Sequence, residues 1–92
     1  MNKARRKQIM NAKSQLRMVE DLKAVLESIR DDLDSVKDDE DNARENIPES
    51  LQETDRYCAS EEASEHLDSA IYYLDSAIED IENAIAELDE IE

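Results

Sequence analysis

From Leu67 to Glu92 the chain reads, in sevens, LDSAIYY, LDSAIED, IENAIAE and LDEIE. Ala63, Leu67, Ala70, Leu74, Ala77, Ile81, Ala84, Leu88 and Ile91 step by alternating fours and threes, the spacing that keeps one face of an α-helix apolar. Ile71, Ile78 and Ile85 widen that face on one side. A simple coiled-coil seam uses two apolar positions per heptad. Three per heptad predict a helix that touches more than one neighbour.

The first half carries a similar stripe: Val19, Leu22, Leu26, Ile29, Leu33, Val36, a polar slot at Glu40, then Ala43 and Ile47. Upstream, Ile9, Ala12, Leu16 and Val19 form a stripe displaced by a register break near Val19, where the helix is expected to bend or turn its face. Pro48 has no amide hydrogen and disfavours helical geometry at Ile47, so the first helix should stop there. Ser50 with Glu53 fits a capping box and Thr54 is a second N-cap candidate for the next helix.

These signals predict one all-α domain over residues 1–92: a first helix over about 3–46, a connection over about 47–54 and a second helix over about 55–92. A connection this short joins antiparallel neighbours, giving a coiled-coil-like two-helix hairpin on the order of 60 Å long. Leu22, Leu26, Ile29 and Leu33 of the first helix, and Leu67, Ile71, Leu74, Ile78, Ile81, Ile85 and Leu88 of the second, are the expected packing and dimer face. A hairpin with so wide an apolar face leaves part of it wet, so two chains are expected to form a four-helix bundle as a homodimer.

Composition agrees: the chain has no Gly, Trp or Phe and a single Pro, and is rich in charged residues and alanine. Charge adds what periodicity cannot. The net charge is −15, and it is unevenly spread: residues 1–30 hold eight basic and three acidic side chains, residues 31–56 three and eleven, and residues 57–92 none and twelve. In an antiparallel hairpin the basic start, Lys3, Arg5, Arg6 and Lys7, should lie beside Glu87, Asp89, Glu90 and Glu92, leaving the loop pole strongly negative.

The residue inventory argues against enzymatic or cofactor chemistry. A di-metal bundle site needs Glu-x-x-His pairs, and the lone histidine, His66, has Ala63 three residues before it. The acidic run Asp31–Asn42 lacks the glycine of a calcium loop, and Cys58 with His66 falls short of a zinc ligand set. No glycine loop is available to cradle phosphate. No metal, cofactor or catalytic residue is therefore expected. His66 is expected to be a boundary residue beside Glu62, and Cys58 an exposed thiol. The ARRK run at Ala4–Lys7 lacks an aromatic to stack on bases, and the acidic chain repels phosphate, so direct nucleic-acid binding is not expected. One cysteine, no signal-peptide pattern and no apolar run of membrane-spanning length point to the cytoplasm rather than a membrane or a secreted location.

What remains is the acidic surface. Asp31, Asp34, Asp38, Asp39 and Asp41 of the first helix and Glu61, Glu65, Asp68, Asp75, Glu79 and Glu82 of the second are the candidate partner-binding face. Bundles commonly mix signs and gain small increments from i,i+4 pairs; from Tyr57 onward this chain has none. Four uses suit such a face: mimicry of a nucleic-acid backbone against a basic cleft, acidic complementarity without mimicry, solubility for an assembly or adaptor subunit, and loose cation buffering.

The stretch NIPESLQETDR at Asn46–Arg56, the start MNKARRKQ and the L-x-x-A-x-x-x-L heptads from Leu67 together resemble a group of small acidic helical proteins encoded by phages and prophages of Gram-positive bacteria. The resemblance spans nearly the whole chain. Small accessory phage proteins often act stoichiometrically on host proteins, including CRISPR and other defence nucleases. The group carries no established activity; combined with the acidic face, the resemblance favours a non-enzymatic inhibitor in the host cytoplasm, anti-defence or anti-CRISPR-like, whose expected partner is a nucleic-acid-handling host protein. The alternative expectation is a structural coiled-coil assembly or adaptor subunit kept soluble by its acidity.

Overall fold

The computed structural model describes residues 2–91. Two long helices, α1 (Lys3–Glu45) and α2 (Asp55–Asp89), pack against each other as an antiparallel hairpin, and no strand occurs among the described residues. A single 3₁₀ turn at Glu49–Leu51 lies in the connection. The molecule measures 71 × 18 × 16 Å.

Local chemistry sets each helix end. The Asn2 side chain accepts a hydrogen bond from the Arg5 amide at 2.8 Å, capping α1. Of the two candidate caps for α2, Thr54 is the one used: its hydroxyl accepts from the Tyr57 amide at 3.3 Å and donates to the Leu51 carbonyl at 2.8 Å. Pro48 follows the end of α1 and closes a turn in which the Leu51 amide donates to its carbonyl. α1 runs through Val19 as one unbroken helix.

The seam between the helices differs in detail from the apolar stripes. On α2 it follows Ser60, Ser64, Leu67, Ile71, Leu74, Ile78, Ile81, Ile85 and Leu88, all half-buried or buried. Ala63, Ala77 and Ala84 stand outside it, exposed. From the α1 side the seam follows Leu16, Val19, Lys23, Leu26, Arg30, Leu33, Lys37, Glu40 and Arg44, and beyond the helix Ile47, all half-buried. Leu22, Ile29 and Val36 are left 57%, 43% and 53% exposed. Every second seam position of α1 from Val19 to Arg44 therefore belongs to a lysine or arginine, whose aliphatic stem covers the facing apolar residues while its charged end reaches outward. The apparent break near Val19 has the same origin: the seam passes through Lys23, not Leu22.

Two helices alone bury little. Ile78, at 6% exposure, is the one buried apolar residue, and Ser64, also at 6%, the one buried polar residue, among those described.

Candidate interaction faces

The basic seam residues of α1 recur every seven positions, and so do their acidic partners on α2. Lys23 pairs with Glu82, Arg30 Nη1 lies 3.0 Å from Asp75, and Lys37 Nζ lies 3.5 Å from Asp68. Moving seven residues up α1 moves the partner seven residues down α2, so the rungs form a regular antiparallel ladder at about 10.5 Å intervals. The ladder closes at the free ends, where Lys13 and Arg17 approach Asp89 at 3.3 and 3.5 Å. The expected neutralised pole is therefore displaced inward. Lys3, Arg5, Arg6 and Lys7 lie past the end of α2 on the first ten residues or so of an overhanging α1, about 15 Å, and make no ion pair among the described residues. Glu92, expected opposite them, lies outside the described residues.

At the loop end the rung becomes a polar cluster. Arg44 donates to Asp41 at 2.8 Å, to Ser64 Oγ at 2.9 Å and to the Ser60 carbonyl at 3.1 Å. The buried Ser64 hydroxyl donates to Asp41 at 2.6 Å, and the Ser60 hydroxyl donates to Glu40, also at 2.6 Å. The polar slot at Glu40 is thus matched by a serine across the seam. Hydrogen bonds from Lys37, Ser64 and Arg44, in that order, hold the Asp41 carboxyl well below the usual carboxylate range. Lys37 and Arg44 are raised in turn, each chiefly by the hydrogen bond to Asp41; Lys23 is raised chiefly by Glu82 and Arg30 by Asp75.

The ladder divides the candidate partner-binding residues. Asp31, Asp41, Asp68, Asp75 and Glu82 are engaged by cations of α1. Asp34, Asp38, Asp39, Glu61, Glu65 and Glu79 make no ion pair among the described residues and are exposed. At about 100° per residue, all of these eleven except Asp39 fall on the side of the hairpin that carries the rungs. Around the loop half the charge is dense: residues 30–44 of α1 and the facing residues 61–75 of α2 hold twelve acidic side chains and three basic ones.

The opposite side of the hairpin is apolar. The rung register sets Leu22 level with Ala84, Ile29 with Ala77, Val36 with Ala70 and Ala43 with Ala63. Met18 and Val25 extend the large-residue row on α1, and both are exposed. The molecule is therefore amphipathic twice over: each helix has an apolar seam, and the hairpin as a unit has an acidic side and an apolar side. Sequence reasoning merged seam and outer strip into one wide face. The separating signal is the seven-residue recurrence of Lys23, Arg30, Lys37 and Arg44 against Asp68, Asp75 and Glu82.

His66 and Cys58 are exposed, and His66 makes no side-chain hydrogen bond to Glu62 among the described residues. No group of three or more potential ligands is placed to hold a metal among the described residues. Among the described residues no helix is long and apolar enough to cross a membrane. An open cleft of about 590 Å³ sits at the loop, lined both by apolar and aromatic residues such as Ile47, Pro48, Leu51 and Tyr57 and by charged ones, Glu40, Arg44 and Arg56. Compared with protein-family models, curated proteins and solved structures, the chain matches none of them.

Proposed function

We propose that this hairpin is a non-enzymatic acidic interaction protein that binds the basic cleft of a nucleic-acid-handling protein and blocks it, in the manner of a nucleic-acid mimic. The observation that carries this reading is the set of five exposed, unpaired carboxylates on the rung side, Asp34, Asp38, Glu61, Glu65 and Glu79, left after the ladder has used every cation that reaches it, with Asp39 exposed on the other side. Over residues 30–44 and 61–75 the excess of acids amounts to roughly one net charge per 2.5 Å of axis from the helical rise. Duplex DNA carries one per about 1.7 Å. A partner shaped to hold that density would be drawn to the hairpin by the same long-range field.

The resemblance to small acidic phage proteins supports a host protein as the target, with a defence nuclease the leading type and the host cytoplasm the place of action. In this reading the protein works as a homodimer and touches neither nucleic acid nor membrane directly. A second reading, an assembly or adaptor subunit, draws support from the exposed apolar strip of Leu22, Val25, Ile29 and Val36.

The experiment is capture of partners from nuclease-treated host lysate on the tagged protein, at low and then high salt. The inhibitor reading expects a nucleic-acid-binding protein that is released by salt or competed off by duplex DNA. It also expects loss of that capture in Asp38→Lys/Glu65→Lys/Glu79→Lys, a variant that leaves every rung of the ladder in place. Equal capture by this variant sinks the acidic-face reading, and recovery of the protein alone at both salts favours the assembly reading.

A further inference from the structure

We propose that a second copy of the chain covers the apolar side, in an antiparallel arrangement that puts the two loops at opposite ends and α1 against α1, with Ile29 near the twofold axis. The inference rests on the homodimer of the reading above but not on the identity of its target.

Three features of the hairpin agree on this occupant and this orientation. The strip formed by Leu22, Val25, Ile29 and Val36 is exposed, unpartnered and centred near Ile29. A twofold axis at Ile29 sets Leu22 against the second copy's Val36, so large residues interleave along α1 while the alanine rows of the two α2 helices close on each other.

The second feature is charge. With the axis at Ile29, the overhang over residues 3–13 lies at the loop pole of the other copy: residues 8–13 come level with about residues 45–50, where that chain turns back, and Lys3, Arg5, Arg6 and Lys7 reach past the turn. The overhang holds five basic side chains and no acidic one; residues 45–55 hold four acidic side chains and no basic one. The overhang, which extends past the end of α2 at Asp89, meets the opposite sign in its neighbour. The alternative twofold arrangement, with both loops at one end, stacks the two acidic poles together and leaves both basic overhangs unopposed. Like-charge crowding of that kind selects against it.

The third is shape at the same place. Met10, 67% exposed on the overhang, comes level with the second copy's Pro48, beside the cleft formed by Ile47, Pro48 and Leu51. Each end of the dimer thus joins a basic, Met-bearing tip to an acidic loop with an open cleft, and the two ends are equivalent by symmetry. The acidic sides of both hairpins face outward.

The test uses purified protein and no target. Sedimentation equilibrium of the wild-type chain should give twice the 10.6 kDa chain mass. In a Cys58→Ser background, Ile29→Cys should oxidise to a covalent dimer. Leu22→Cys mixed with Val36→Cys should cross-link, whereas Val36→Cys alone should not. Ile29→Glu should sediment as a monomer with helicity retained, because Ile29 lies outside the intramolecular seam. A monomeric wild type, a dimer that survives Ile29→Glu, or cross-linking of Ile29→Cys with Ala77→Cys in place of itself would each overturn the proposal. The lysate capture reads the acidic side independently. A dimer of this geometry that captures no partner removes the inhibitor reading alone, and salt-sensitive capture by a monomer removes the dimer alone.

Discussion

Ser64 is the residue on which most of the polar structure converges. It is buried, donates to Asp41 and accepts from Arg44, so Ser64→Ala leaves two charged groups each one hydrogen bond short. A loss of about 1 kcal/mol is expected from one such bond, read as a lower urea midpoint at unchanged slope. Asp41 gives the same cluster a pH signature. Its folded-state carboxyl titrates below its unfolded value, so its contribution is fully present above the unfolded value of about 4 and is lost as pH falls from there toward the lower folded value. Thermal melts from pH 6 to pH 2 should show that loss, and Asp41→Asn should lack this component of it. On the apolar side, Ile78→Ala removes the most buried side chain of the seam and should cost about 2 kcal/mol.

At the scale of the element, the heptad ladder makes a prediction that no single helix would. Lys23→Glu should destabilise the hairpin by placing like charges at one rung, and Lys23→Glu with Glu82→Lys should recover part of the loss. A double-mutant cycle on melting temperature checks it; equal loss in single and double variants would show the rung to be a surface accident. The elements themselves were largely legible in the chain. Pro48 marked the stop, Thr54 was one of two candidate caps, and the α1 range Lys3–Glu45 sits one residue from the expected end. The pairing was less legible. Both Leu22 and Leu26 satisfy helical periodicity, and only the cross-helix match of cations and carboxylates says which of them meets α2. Serines at Ser60 and Ser64 were invisible as seam residues because a seam is sought among apolar side chains. The candidate acidic residues fall on one side because that side is where the ladder needs carboxylates, and their division into paired and unpaired sets depends on side-chain reach, which spacing does not report.

For the whole molecule, the net charge of −15 sets repulsion against a seam with one buried apolar side chain. Added salt should therefore raise the melting temperature while weakening capture of a basic partner, since screening relieves self-repulsion and cancels attraction together. A melting temperature that falls between 50 and 500 mM salt would mean that the rungs outweigh the repulsion. The strict seven-residue spacing of those rungs has another consequence. A sequence that repeats every seven residues is nearly unchanged by a shift of seven, so sliding α2 one heptad along α1 would re-form most rungs and lay isoleucine on leucine again. Such a slipped isomer is a near-copy of the native hairpin in energy, and the seam by itself discriminates poorly against it. What breaks the translational symmetry is the one place where the repeat fails, the meeting of Glu40 and Asp41 with Ser60 and Ser64, backed by the short tether through Pro48. The serines thus act as a detent, fixing the phase of an otherwise sliding ruler.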